Sequence, residues 1–276
     1  MSGGNDNAAL RRAAAGNAAL CTIVGIDGSF SRRLGAQLSI GPDGECIGSL
    51  ADGCLESELA ARAKALDGPQ TLRFGAGSPF VDFRLPCGSG LDILIDPSPD
   101  VGNLRAAVAA LDAREEARLT LPSARLPARH YIPKLRLLVA GESLEAAELI
   151  ALSEACGVLA EALRLGALGD PVTIEADRWT AIALLFHDHE WERAILPAAL
   201  ETPAFWIGAI GGTETRTRRT RILAELKFDR ALIERVKSPI GLIPAARDAK
   251  TLAISVLAEI VGAYEALKTG FPDPKS

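Results

Sequence analysis

KLRLLVAGESLEAAELIALSEACGVLAEALRL, residues 134–165, reads as a strand, a helix and a second strand. Residues 134–141 form an apolar run ending in Gly141, as expected of a strand covered on both faces. Residues 142–157 place Leu144, Ala147, Leu149 and Leu152 on an inward helix face and stop at Gly157. Residues 158–165 supply the next strand. Strands alternating with helices of this length make βαβ units and a parallel sheet. The alternation continues: TAIALLFHDH (180–189) is a buried strand with a polar tip, and a helix runs through Leu200. PAFWIGAIGG (203–212) is a strand, a helix runs through Leu226, and SPIGL (238–242) precedes a last helix over 249–268. The expectation is a Rossmann-like, doubly wound parallel sheet over 134–276.

The chain before residue 134 has a different texture. ALCTIVGID (19–27) reads as a buried strand, and GAQLSIGPDGECIGSL (35–50) as two strands around a turn at 41–44. A helix follows Cys54. QTLRFGA (70–76) and GLDILIDP (90–97) are further strands, and 101–117 has a helical pattern. Residues 119–134 hold Pro122, Pro127 and Pro133 and show no period. The reading is an α/β protein: a mixed α+β domain over 1–120, a proline-containing linker over 121–133, and the Rossmann-like domain.

With 276 residues, 48% hydrophobic and 24% charged, the chain is long enough for two ordinary cores. Its net charge of -5 argues against a nucleic-acid binder. Cys21, Cys46, Cys54, Cys87 and Cys156 contain no CxxC pair, which argues against a disulfide framework and a cysteine zinc site. Free thiols suit a reducing cytoplasm, the expected location. The N-terminus lacks a signal-peptide core, and no stretch approaches the ~18 apolar residues of a membrane helix.

Cys54 opens a helix, where the partial positive charge of the N-terminus favours thiolate, a nucleophile or soft-metal ligand. The alternative is a small residue packing a turn. Cys87 and Gly88, in LPCGSGL, read either as a close approach to a ligand or as a hairpin turn. Gly28 and Ser29, beside Arg32 and Arg33, read as an anion loop or a solvated one. In a parallel sheet, ligands sit at the carboxyl ends of the strands, here the loops 141–143, 187–189 and 208–213. Gly141 is followed by Glu142 rather than by the rest of a dinucleotide fingerprint, so NAD or nucleotide binding is weakly supported. His187, Asp188 and His189 offer part of a metal site, but a hydrogen-bonded or ligand-facing loop is the favoured reading. Gly211 and Gly212 precede a helix bearing Arg216, Arg218, Arg219 and Arg221. Most of these read as a solvated face, with Arg216, nearest the loop, as the exception.

The chain as a whole resembles the XdhC/CoxI family of xanthine dehydrogenase accessory proteins. The stretches that carry the resemblance are GSFSRRLGA, GSLADGCLESEL and CGSGLDILIDP in the first half. In the second half they are FHDHEWE, IGAIGGTETR and SPIGLIPAARDAKTLAISVLAEIV. The resemblance implies a chaperone that binds the molybdenum cofactor (molybdopterin) as cargo and need not turn over. It implies delivery to a molybdenum hydroxylase of the xanthine dehydrogenase or carbon monoxide dehydrogenase type, with a cysteine desulfurase as sulfur source. The family's cofactor-linked thiol falls on Cys54, next to Gly53, with molybdenum contact implied for Cys54; the second family cysteine falls on Cys87. Glu56 matches the motif's acid, for which helix capping is the simpler role.

Departures from the family pattern fall on the same loops. Asp52 and Ser89 stand where the family has glycines, AGES replaces Gly-Ala-Gly-His, FHDH lacks a threonine, and GGTET replaces Gly-Ser-Arg. Two other readings stay open. One is a Rossmann-fold oxidoreductase or nucleotide-using enzyme with His187 or His189 in acid–base work. The other is a diverged assembly scaffold that binds no cofactor. A homodimer suits a delivery protein of this size, and no nucleic-acid or membrane partner is expected.

Overall fold

A computed structural model of the protein describes residues 3–51, 54–79, 88–186 and 189–269. The chain divides into two compact units, the first ending at Pro133 and the second beginning at Lys134. Among the described residues no helix is long and apolar enough to cross a membrane.

The first unit runs α1 (Gly3–Ala14), β1 (Ala19–Asp27), β2 (Gln37–Ile40), β3 (Cys46–Gly48), α2 (Cys54–Ala65) and β4 (Gln70–Gly75). It continues with β5 (Gly90–Asp96), α3 (Val101–Asp112), β6 (Ala117–Thr120) and β7 (Ala128–Tyr131). Its sheet is antiparallel throughout, in the order β3-β2-β1-β5-β4. Alternation along the strands gives each face its own core. Cys21, Ile23, Leu38, Leu91, Ile93 and Ile95 pack beneath α2. Leu20, Val24 and Leu94 face α1, α3 and the β6–β7 hairpin. Within this second core Tyr131 donates to Gln37 Oε1 at 2.6 Å, and Gln37 Nε2 donates to Thr22 Oγ1 at 3.0 Å. Gly25 sits at a register shift in β1; a Cβ there would lie 2.5 Å from Asp92 Oδ2. The buried Asp92 carboxylate receives Arg73 at 3.0 Å and Arg125 at 2.8 Å.

Three expectations are corrected here. Helix α1 was not expected: its Ala-rich run has helical propensity but little apolar bulk, and Ala9, Leu10, Ala13 and Ala14 face the core. The helix expected over 101–117 ends at Asp112, where Arg114 takes a left-handed conformation (φ 62°) and Ala117 opens β6. The expected linker, 121–133, contains β7, which pairs with β6 and buries Tyr131 in the second of these cores. Its prolines lie in the hairpin turn and beyond the strand, so proline density conceals a regular element.

The second unit runs β8 (Arg136–Ala140), α4 (Leu144–Ala155), β9 (Leu159–Ala162), β10 (Thr180–Leu184), α5 (His189–Leu200) and β11 (Trp206–Ala209). After these come α6 (Thr213–Glu225), α7 (Arg230–Glu234), β12 (Val236–Lys237) and α8 (Ala249–Thr269). The strands are parallel in the order β12-β11-β10-β8-β9. Numbered within the unit this is 2-1-3-4-5, a doubly wound topology with its switch point between β8 and β10. Ile182, Leu184, Ile207 and Ala209 face α5 and α6. The alternate residue Trp206 points the other way, its Nε1 donating to Glu259 of α8 at 3.2 Å. The inward face of α4 is Ala146, Leu149 and Ser153, whereas Leu144 is 66% exposed. The expected set was rotated because Ser143 takes the cap and leaves Leu144 at the free first turn.

Candidate functional site

One end of the first sheet gathers the end of β1, the end of β4, the start of β5 and the start of α2. Asp27, Gly75 and Gly90 are level across the three strands. Three loops there are joined by hydrogen bonds. Ser89 Oγ donates to the carbonyl of Ser29, and a Cβ on Gly28 would lie 3.3 Å from Ser89 Oγ. Gly28 and Ser29 therefore adjoin Gly88 and Ser89. Arg32 reaches from the first loop to Ser49, donating to its carbonyl at 3.3 Å and its hydroxyl at 3.4 Å. Glu56 then ties Ser49–Ala51 to α2. Its Oε1 accepts from Leu50 N at 3.1 Å, Ala51 N at 2.9 Å and Ser49 Oγ at 3.3 Å.

Cys54 is the first residue of α2, and Glu56 lies in its first turn. Glu56 does more than cap the helix, because it also fixes the loop entering it. Among the described residues its Oε2 is buried without a partner, an acceptor left open where loop meets helix. Gly53 and Cys87 lie outside the described residues. Two other thiols are poor thiolate candidates. Burial holds the Cys21 thiol far above its ordinary range. Cys46 is also raised, first by burial and then by the Glu56 and Glu45 carboxylates.

In the second unit Gly141, Gly211 and Gly212 lie at the carboxyl edge, beside the end of β10. Gly141 has φ 140°, and a Cβ would lie 2.7 Å from the Leu185 carbonyl oxygen. Ser143 Oγ donates to that same carbonyl at 3.3 Å and accepts from Ala146 N at 3.3 Å. The loop at the switch point is thus folded onto β10, with its helix start capped. His187 and Asp188 lie outside the described residues, and His189 opens α5. Gly212 precedes α6 and gives no side-chain cap. Arg216 is exposed, and its side chain makes no hydrogen bond or ion pair among the described residues.

Arg219, expected on a solvated face, is 4% exposed. Its Nε and NH2 grip the two Glu192 oxygens at 3.1 and 2.7 Å. It also donates to Ser238 Oγ and to the Ile210 carbonyl, both at 2.8 Å. The fork fastens α5, α6 and the ends of β11 and β12. Its signal in the sequence is a position four residues before the buried Leu223, on the same helix face.

Residues 101–260 match the XdhC Rossmann domain, and residues 11–75 match the XdhC and CoxI family. The chain belongs to the XdhC and CoxI family. It is 35% identical to the molybdenum cofactor insertion chaperone PaoD of Escherichia coli (strain K12), over 88% of this chain and 82% of that protein. Its fold is similar to the crystal structure of a protein described as a xanthine dehydrogenase from Bacillus halodurans. That likeness has a TM-score of 0.73 at 19% identity and covers 95% of this chain and 96% of the other. For this XdhC and CoxI family member, the expected α/β class and the Rossmann-like second half agree with these findings.

Proposed function

We propose that this protein binds the molybdenum cofactor as cargo and passes it to an apo-hydroxylase of the xanthine dehydrogenase or carbon monoxide dehydrogenase type. The observation that carries the reading is the set of three tied loops around the start of α2. They bring Gly28, Ser29 and Gly88 to the end of the sheet where Cys54 begins its helix. The chemistry suits the cargo. A thiolate at a helix start is a ligand for molybdenum, and loop amides with Arg32 suit the pterin phosphate. Gly53 and Cys87 complete the proposed set. A cysteine desulfurase supplies sulfur before delivery, and the protein acts in the cytoplasm as a homodimer. Gly141, His187, Asp188, Gly211 and Gly212 form a second proposed contact set at the carboxyl edge of the Rossmann sheet.

The nucleotide-enzyme reading is less well supported. Ser143 caps α4, and Glu142 and Glu145 stand where a pyrophosphate would sit. The test of the main reading is molybdenum and pterin content of wild type and Cys54→Ala, purified side by side from a host that makes the cofactor. Pterin in wild type and little in the variant is the expected result. Equal pterin in both removes the role of Cys54; none in either overturns the cofactor reading.

A further inference from the structure

Between α6, α7 and β12 lies a groove of about 450 Å³, within the range of small-molecule sites. Leu223, Phe228, Ile233 and Val236 give it an apolar floor, and Arg216 stands at its rim. The other two arginines on it are committed: Arg219 to Glu192, and Arg230 to Glu234 at 2.7 Å. Among the described residues lining the groove, Arg216 is the arginine with no ion pair, one turn into a helix that has no side-chain cap. The surroundings favour an anion. Residues 213–237 include eight basic and four acidic side chains, Glu214 in the first turn of α6 among them, a local net charge of +4 in a chain of net -5.

We propose that this groove binds a small organic anion: a flat, largely apolar body on the floor, with one sulfonate-, phosphate- or carboxylate-type group held by Arg216. An apolar floor alone would take any hydrophobe; the free guanidinium and the basic surroundings select the charged class. The site belongs to the second unit and does not depend on the cofactor reading or on Cys54.

The probe is 8-anilinonaphthalene-1-sulfonate, titrated by fluorescence into the full-length protein, with the neutral N-phenyl-1-naphthylamine as its uncharged counterpart. One saturable sulfonate site per chain is expected. Arg216→Gln weakens it roughly fivefold, the effect of one partly solvated charge pair, and leaves the neutral probe unchanged. Ala224→Trp fills the groove from an exposed helix position and abolishes binding of both. Sulfonate affinity within twofold of wild type in both variants overturns the site. Equal affinity for the two probes, with no effect of Arg216→Gln, overturns the anionic class. A fall in bound sulfonate per chain as protein concentration rises makes a second copy the occupant and overturns the small-ligand assignment.

Discussion

Replacing Arg219 with Met tests whether the fork it makes is what holds the Rossmann unit's carboxyl edge together. Arg219 is 4% exposed and Glu192 is 5% exposed, so water cannot take over when the guanidinium goes. Removing one partner of a buried pair typically costs about 3–5 kcal/mol, because the other charge stays buried. At about 3 °C per kcal/mol for a domain of this size, the unit's unfolding midpoint falls by roughly 10–15 °C. Trp179, Trp191 and Trp206 are the protein's three tryptophans and all lie beyond residue 133, so intrinsic fluorescence reads this unit alone. Adding Glu192→Leu removes the buried carboxylate and restores at least half the loss. The remainder reflects the donors withdrawn from Ser238 and the Ile210 carbonyl, about 1 kcal/mol each. A single variant that loses less than about 1 kcal/mol, or a double no more stable than the single at any pH, refutes the assignment.

Tyr131→Phe removes the hydroxyl that reaches Gln37 in the core beneath α1 and α3 and lowers stability by about 1–2 kcal/mol in urea unfolding. An unchanged midpoint would show that the hairpin is held by packing alone. Gly141→Ala drives a Cβ to 2.7 Å from the Leu185 carbonyl oxygen at a φ of 140°, and costs about 1–3 kcal/mol by tryptophan fluorescence. A wild-type midpoint would mean that the switch-point loop is looser than its hydrogen bonds indicate. Asp112 is held below its ordinary range by the Arg11 guanidinium, which joins α1 to α3. A depressed carboxyl contributes stability above its unfolded value of about 3.9 and loses it as pH falls through the folded one. Asp112→Asn is thus less stable than wild type at neutral pH and converges with it in strong acid; a pH-independent difference contradicts the ion pair.

Where side-chain periodicity carries the fold, the sequence was readable. The apolar runs at 136–140, 180–184 and 206–209 became the parallel strands, and the alternation of Leu91, Ile93 and Ile95 became one face of β5. Where tertiary packing or turn chemistry decides, it was not. Helix α1 has alanines in place of an apolar stripe, and β7 sits between prolines. The candidate site divides the same way. Ser29 and Gly88 stand out in the sequence separately, by residue type, but only the structure shows Ser89 joining their loops. Glu56 was legible as a capping acid; its grip on Leu50 and Ala51 depends on how the loop returns. Among the arginines of α6 the charge is identical at each position, so depth had to come from the partner, Glu192 on α5.

The two helix starts at the carboxyl edge of the Rossmann unit differ in their caps rather than in their acids. At α4 Ser143 accepts from the Ala146 amide, and Glu142 and Glu145 stand beside it. Part of that helix start's attraction for an anion is met by the protein's own oxygens. At α6 the cap is a glycine with no side chain to offer, but Glu214 stands in the first turn, so this start carries an acid too. What distinguishes α6 is Arg216, one turn further in and exposed, whose guanidinium makes no hydrogen bond or ion pair among the described residues. The sheet order points to the switch point beside α4, whereas the guanidinium open to an anion lies on α6, so topology and side-chain chemistry indicate different helices in this chain.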